Sequence, residues 1–125
     1  MKDTADFLPG MERVKSRFLE ILHDRQKSIA THAIGAWEGE TSDDINEHLS
    51  SAQKILHQIS GTAGSLGFAT LGDAASFCEN AILVHLGSPA AQEATCPGDL
   101  IVQLDQFVVD CCALLETAED SAEFI

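Results

Sequence analysis

Positive charge is scarce in this 125-residue chain: seven lysines and arginines stand against twenty acidic residues, a formal net charge of −13 at pH 7. The scarcity is uneven. Lys2, Arg13, Lys15, Arg17, Arg25 and Lys27 all precede position 28, after which Lys54 stands alone against 15 acidic residues and that part carries −14. A surface of this sign repels phosphate backbones and speaks against direct nucleic-acid binding. No aliphatic run is long enough to cross a bilayer. The opening MKDTADF lacks the layout of a secretory signal, so a cytoplasmic protein without membrane association is expected. Cys78, Cys96, Cys111 and Cys112 form no CxxC pair, and the adjacent Cys111 and Cys112 are poorly placed to bridge each other; reduced, buried thiols are the expectation. His23, His32, His48 and His85 show no HxxxH or other ligand spacing, so no metal site is expected. Internal repeats and low-complexity segments are absent too. The length suits one domain, residues 1–125, with room for one hydrophobic core.

What is present is helical periodicity. From about Met11 to Trp37, Val14, Phe18, Ile21, Leu22 and Ile29 recur at three-to-four spacing and predict a long amphipathic helix, with Trp37 packed at its end. The preceding FLPG predicts a cap for a short additional N-terminal helix. Thr41 and Asp44 have the form of a capping box after the break EGET. The second helix carries a regular stripe of Ile45, Leu49, Ala52, Leu56, Ile59, Ala63 and Leu66, the mark of a helix packed in a bundle. Gly67 suits the left-handed position past its end. Thr70 and Asp73 repeat the capping-box form before a third helix running to about Leu86, with Leu71, Ala75, Cys78 and Ile82 inward. GSPAAQEATCPGD reads as loop. A last helix is predicted from about Asp99 to Ala118, with Leu104, Val108, Cys111 and Leu115 on one face and Leu100, Phe107 and Leu114 beside it, followed by a frayed tail. The fold class is therefore all-α, an antiparallel four-helix bundle with a short additional N-terminal helix.

One stretch of the second helix departs from good helix composition. HQISGTAGSLGF, His57 to Phe68, places Gly61, Gly64 and Gly67 at intervals of three after a histidine, although each interior glycine costs about 1 kcal/mol relative to alanine. His57 lies off the apolar stripe, and Ser60, Gly61 and Gly64 share its side, with Lys54 one turn before. Glycines on the solvent side clear an approach to the imidazole for another protein. Close helix packing is the competing explanation, weakened because Gly61 and Gly64 lie off the stripe.

His57, Ile59, Gly61, Ala63, Gly64, Leu66 and Gly67, continued by Phe68, Leu71, Glu79 and Asn80, resemble the signature of the histidine-containing phosphotransfer domain. The closest likeness in motif is to the phosphotransfer domain of chemotaxis-type histidine kinases. The motif covers about residues 52 to 82, and helix count and lengths extend the likeness over most of the chain. The resemblance implies that His57 accepts a phosphoryl group from a receiver aspartyl phosphate or a sensor histidine kinase, then passes it to a response-regulator aspartate. An exposed neutral imidazole is a suitable nucleophile, and the transfer needs chiefly positioning and charge stabilisation. In such a family the bundle has no cofactor of its own, the Mg²⁺ and catalytic lysine belonging to the receiver partner. The chain would be a monomeric carrier of a phosphohistidine rather than a self-contained enzyme.

The resemblance further implies that Glu79 orients the imidazole from the next helix, and that Gln53, Gln58, Gly61 and Gly64 belong to the partner-binding face. Where the family usually has a lysine three residues after the histidine, this chain has Ser60. Lys54 is then the candidate for charge compensation, with Arg25 or Lys27 reaching across from the first helix as a further source. Ser60 is also the best argument for the alternative, a non-phosphorylated module of the same fold that docks and sequesters receiver domains.

Overall fold

The computed structural model describes residues 9 to 123, which form four helices and no strand: α1 Pro9–Glu38, α2 Ser42–Ala63, α3 Ala69–Leu86 and α4 Gly98–Glu123. The α1–α2 and α2–α3 connections are too short to do other than reverse the chain. In the finished bundle α2 packs on α1 and α3, and α4 closes the ring by packing on both of them. Two 3₁₀ turns, Gly64–Leu66 and Pro89–Gln92, lie in the connections. The second of these falls inside the predicted loop, which Asn46 ties to α2 by donating from Nδ2 to Ala91 O at 2.7 Å.

The α2 stripe is the spine of the core. Ile45, Leu49, Ala52, Leu56, Ile59 and Ala63 are all at or near zero exposure, and Leu66 continues the line through the 3₁₀ turn. Burying a side chain of leucine or isoleucine size stabilises by about 1.5–3 kcal/mol, so this one stripe fixes which side of α2 faces inward. Phe18, Leu22 and Ile29 from α1 and Leu71, Ala75, Cys78 and Ile82 from α3 meet it. Thr41 caps α2 as expected, its hydroxyl accepting from Asp44 N at 3.1 Å. Gly67 has φ 91°. It closes the end of α2 with Phe68 N–H donating to Ala63 O at 2.9 Å, the Schellman arrangement.

That closure overturns one expectation. Phe68 already stands at the N-cap of α3, and Gly72 N–H donates to its carbonyl at 3.0 Å. Thr70 therefore lies inside the first turn, and Thr70 with Asp73 is no capping box. Val14, expected inward, is 47% exposed, because the first turns of α1 stand level with the residues beyond the last turn of α2. Trp37 is 59% exposed; instead of packing into the helix end, its ring leans over Gly98 at the start of α4, where an added Cβ would stand 3.9 Å from Cζ3. On α4 the buried line is Leu100, Leu104, Phe107 and Cys111, with Val108, Leu114 and Leu115 half-buried. The face is turned from the predicted one toward the larger Phe107 ring. α4 continues to Glu123, past the predicted end at Ala118, where Glu119, Ala122 and Glu123 have good helix propensity. Pro9 and Gly10 form the first turn of α1, where proline is tolerated. The expected additional N-terminal helix would precede them and lies outside the described residues.

Among the described residues no helix is long and apolar enough to cross a membrane.

Candidate functional site

His57 sits past the middle of α2, with its side chain 72% exposed while that of Glu79 is 12% exposed. At about 100° per residue, the imidazole lies well off the buried stripe on the flank that faces α3, with Ile55 on the opposite flank toward α1. Across the α2–α3 seam, His57 Nδ1 is 2.8 Å from Glu79 Oε2. A carboxylate only accepts, so Nδ1 carries the proton and donates. The ring is thereby held in one tautomer, and Nε2 presents a lone pair to solvent. The expected His57–Glu79 pairing is present.

A second donor reaches the same oxygen. Gln53 Nε2–H donates to Glu79 Oε2 at 2.7 Å. Gln53 was expected on the partner-binding face; its amide is instead turned inward and occupied by the carboxylate. Gln58 is exposed on the outer flank of α2. Lys54, one turn before His57, is exposed and forms no salt bridge among the described residues, which leaves its ammonium free to swing toward an anion at Nε2.

Ser60 does not point at the imidazole. Its Oγ–H donates back to His57 O at 3.0 Å, a bond within the helix that spends the hydroxyl on backbone. Arg25 lines a shallow groove with Asp24, Ser28 and Ile55 between α1 and α2, on the flank of α2 away from Glu79. Neither Arg25 nor the exposed Lys27 is brought to His57, because the antiparallel register fixes their level but not their side of the helix.

The glycines divide into two kinds. A Cβ added at Gly61 or Gly64 would meet nothing within 4 Å, so packing requires neither. Gly72 on α3, which sequence reasoning passed over, is the one of these glycines that faces a packed seam: its added Cβ would touch Gly64 N at 3.4 Å and Ala63 Cβ at 3.5 Å, ordinary contact distances that leave room for nothing larger than a methyl without rearrangement. The open surface beside His57 thus exists because α3 approaches α2 from behind it at Gly72 while Gly61 and Gly64 carry no side chain in front.

A second histidine cluster went unread in the sequence. His32 Nδ1 and His48 Nδ1 stand 3.0 Å apart across the α1–α2 seam, one donating and one accepting. Gly35 makes room, since a Cβ there would lie 2.6 Å from the His48 ring. Partial burial, and secondarily His48, hold the His32 pKa below its ordinary value. A depressed histidine favours the folded state above its unfolded pKa of about 6.5, and the contribution is lost as pH falls below that value and through the lower folded pKa. We expect the urea midpoint to drop between pH 7.5 and pH 5.5, and His32→Gln to flatten that dependence; an equal slope in the variant would assign the effect elsewhere.

Cys78, Cys96 and Cys111 are buried as expected, whereas Cys112, expected to be buried with them, is exposed. Burial raises the Cys111 thiol to about 12 and the Cys78 thiol to about 11, so neither is a thiolate nucleophile at neutral pH. Among the described residues no three His, Cys, Asp or Glu side chains converge on one point as a metal site needs.

No protein-family model, curated protein or solved structure matches this chain. The motif resemblance and the geometry of the seam are therefore what bear on function.

Proposed function

We propose that this bundle is a histidine phosphotransfer module of a two-component phosphorelay, with His57 as phosphoacceptor. The observation that carries the reading is the exposed imidazole whose Nδ1 is tied to the shielded Glu79 carboxylate, beside two glycines that leave Nε2 open. In the forward step the Nε2 lone pair attacks the phosphorus of a receiver aspartyl phosphate. The N–P bond forms as the P–O bond to the aspartyl carboxylate breaks, and that carboxylate leaves with the electron pair. Nδ1 keeps its proton, so the ring becomes cationic, and Glu79 stabilises the charge without a proton transfer. Return to a response-regulator aspartate is the reverse step. A Mg²⁺ on the receiver would supply charge neutralisation at the phosphoryl oxygens, and the chain's own contribution there would be Lys54. The cellular setting consistent with this role is the cytoplasm, with receiver domains and a sensor kinase as partners.

Ser60 favours a second reading. With its hydroxyl on the His57 carbonyl and no cation three residues after His57, the bundle would dock receivers without taking phosphate. Incubation with radiolabelled phosphorylated receivers from the same source separates the two. Label appearing on this chain supports transfer. Stable complexes with receivers that keep their label support the sequestering module and sink the phosphotransfer proposal.

A further inference from the structure

The ring of His57 is largely in water, and among the described residues its one hydrogen bond runs to Glu79 Oε2. The orientation of the imidazole is therefore only as fixed as that carboxylate oxygen. Oε2 has room for two donors, and both places are taken, by His57 Nδ1 at 2.8 Å and by Gln53 Nε2 at 2.7 Å. Gln53 and His57 are one helical turn apart on α2, so two rungs of the same helix grip one oxygen of α3. A glutamine is suited to this place: its amide donates without titrating, and a carbonyl turned toward the carboxylate would repel it. Glu79 is shielded enough that water competes weakly for the same lone pairs.

We propose that Gln53 is a positioning residue which, acting through Glu79 and never touching the reacting atoms, holds His57 as the Nδ1–H tautomer with Nε2 as nucleophile. The inference deepens the phosphotransfer reading and rests on it for its purpose. The hydrogen-bond relay itself is measurable without any phosphate.

The test uses the full chain at a pH where His57 is neutral, with long-range ¹⁵N–¹H spectra of the imidazole reporting the tautomer. Gln53→Met keeps the length and removes the donor; Gln53→Lys returns a donor. The wild-type ring is expected almost wholly as the Nδ1–H form. In Gln53→Met the tautomer ratio should fall by roughly tenfold, the weight of one charge-assisted hydrogen bond, and labelling of His57 by phosphoramidate should slow with it. Gln53→Lys should restore both, with the thermal midpoints of all three proteins alike. An unchanged tautomer ratio in Gln53→Met overturns the proposal. If the tautomer shifts as expected while the wild-type chain takes no phosphate from phosphoramidate or any receiver, the positioning role stands and the phosphotransfer reading fails.

Discussion

His57→Gln is expected to abolish acid-labile, alkali-stable phosphate incorporation from a cognate phosphorylated receiver while leaving the fold intact. The substitution removes the Nε2 lone pair, the proposed nucleophile, so the loss should be complete rather than partial. The side chain is 72% exposed and contributes nothing to the apolar core, and exposed positions generally change stability by less than about 0.5 kcal/mol. Helical content and thermal midpoint should therefore match wild type, and labelling that persists in a well-folded variant would mean another residue is the acceptor. Glu79→Gln makes an informative companion. An amide still accepts from Nδ1–H but does not balance the imidazolium charge, so a slower rate with an intact acceptor is the expected result.

The second large effect concerns the glycine face. Gly64→Leu and Gly61→Gln fill space that is empty to beyond 4 Å. Gly61 lies within α2, and Gly64 has helical φ −61° and ψ −42°, so each replacement should recover up to about 1 kcal/mol of helix propensity. The new side chain then stands in the path of a docking receiver. Phosphoryl transfer needs the reacting atoms at about 3–3.5 Å, and a displacement of roughly 1 Å lowers the rate by ~100-fold. The variants should be more stable yet transfer poorly from a receiver, while phosphoramidate, being small, still labels His57. Gly72→Leu is the contrasting control: a Cβ there already touches α2, so the rest of a leucine side chain should overpack the seam and destabilise by about 1–3 kcal/mol. If Gly64→Leu were to destabilise in the same way with receiver transfer untouched, the open face would have no role in docking.

The sequence specified the α2 and α3 stripes almost residue by residue, because a helix buried along one side leaves a period that few substitutions blur. It also placed His57 outside the core and named Glu79, the latter through motif resemblance rather than through spacing. What it missed depended on neighbours. Gln53 is an ordinary polar residue until Glu79 is set opposite it, and its inward turn follows from the α2–α3 register. The His32–His48 pair was closer to legible: both lie eight residues from position 40, so a hairpin reversing there sets them level. The caps at Thr70 and the packing of Val14 and Trp37 failed for one common reason. A local pattern gives a helix its face, but its ends are decided by what stands beside them.

The shielding of Glu79 has a consequence for ionic strength. Salt screens charges that water can surround and reaches poorly into a seam where the carboxylate is 12% exposed. The carboxylate end of the pair is therefore less open to screening than its imidazole end, which is 72% exposed. Approach of a proposed receiver would be more open to screening still, because it would proceed across a chain that carries −14 beyond residue 27. If the proposed phosphotransfer holds, added salt should act more on how often a receiver arrives than on how the imidazole is held, so that encounter and reactivity would be separately adjustable.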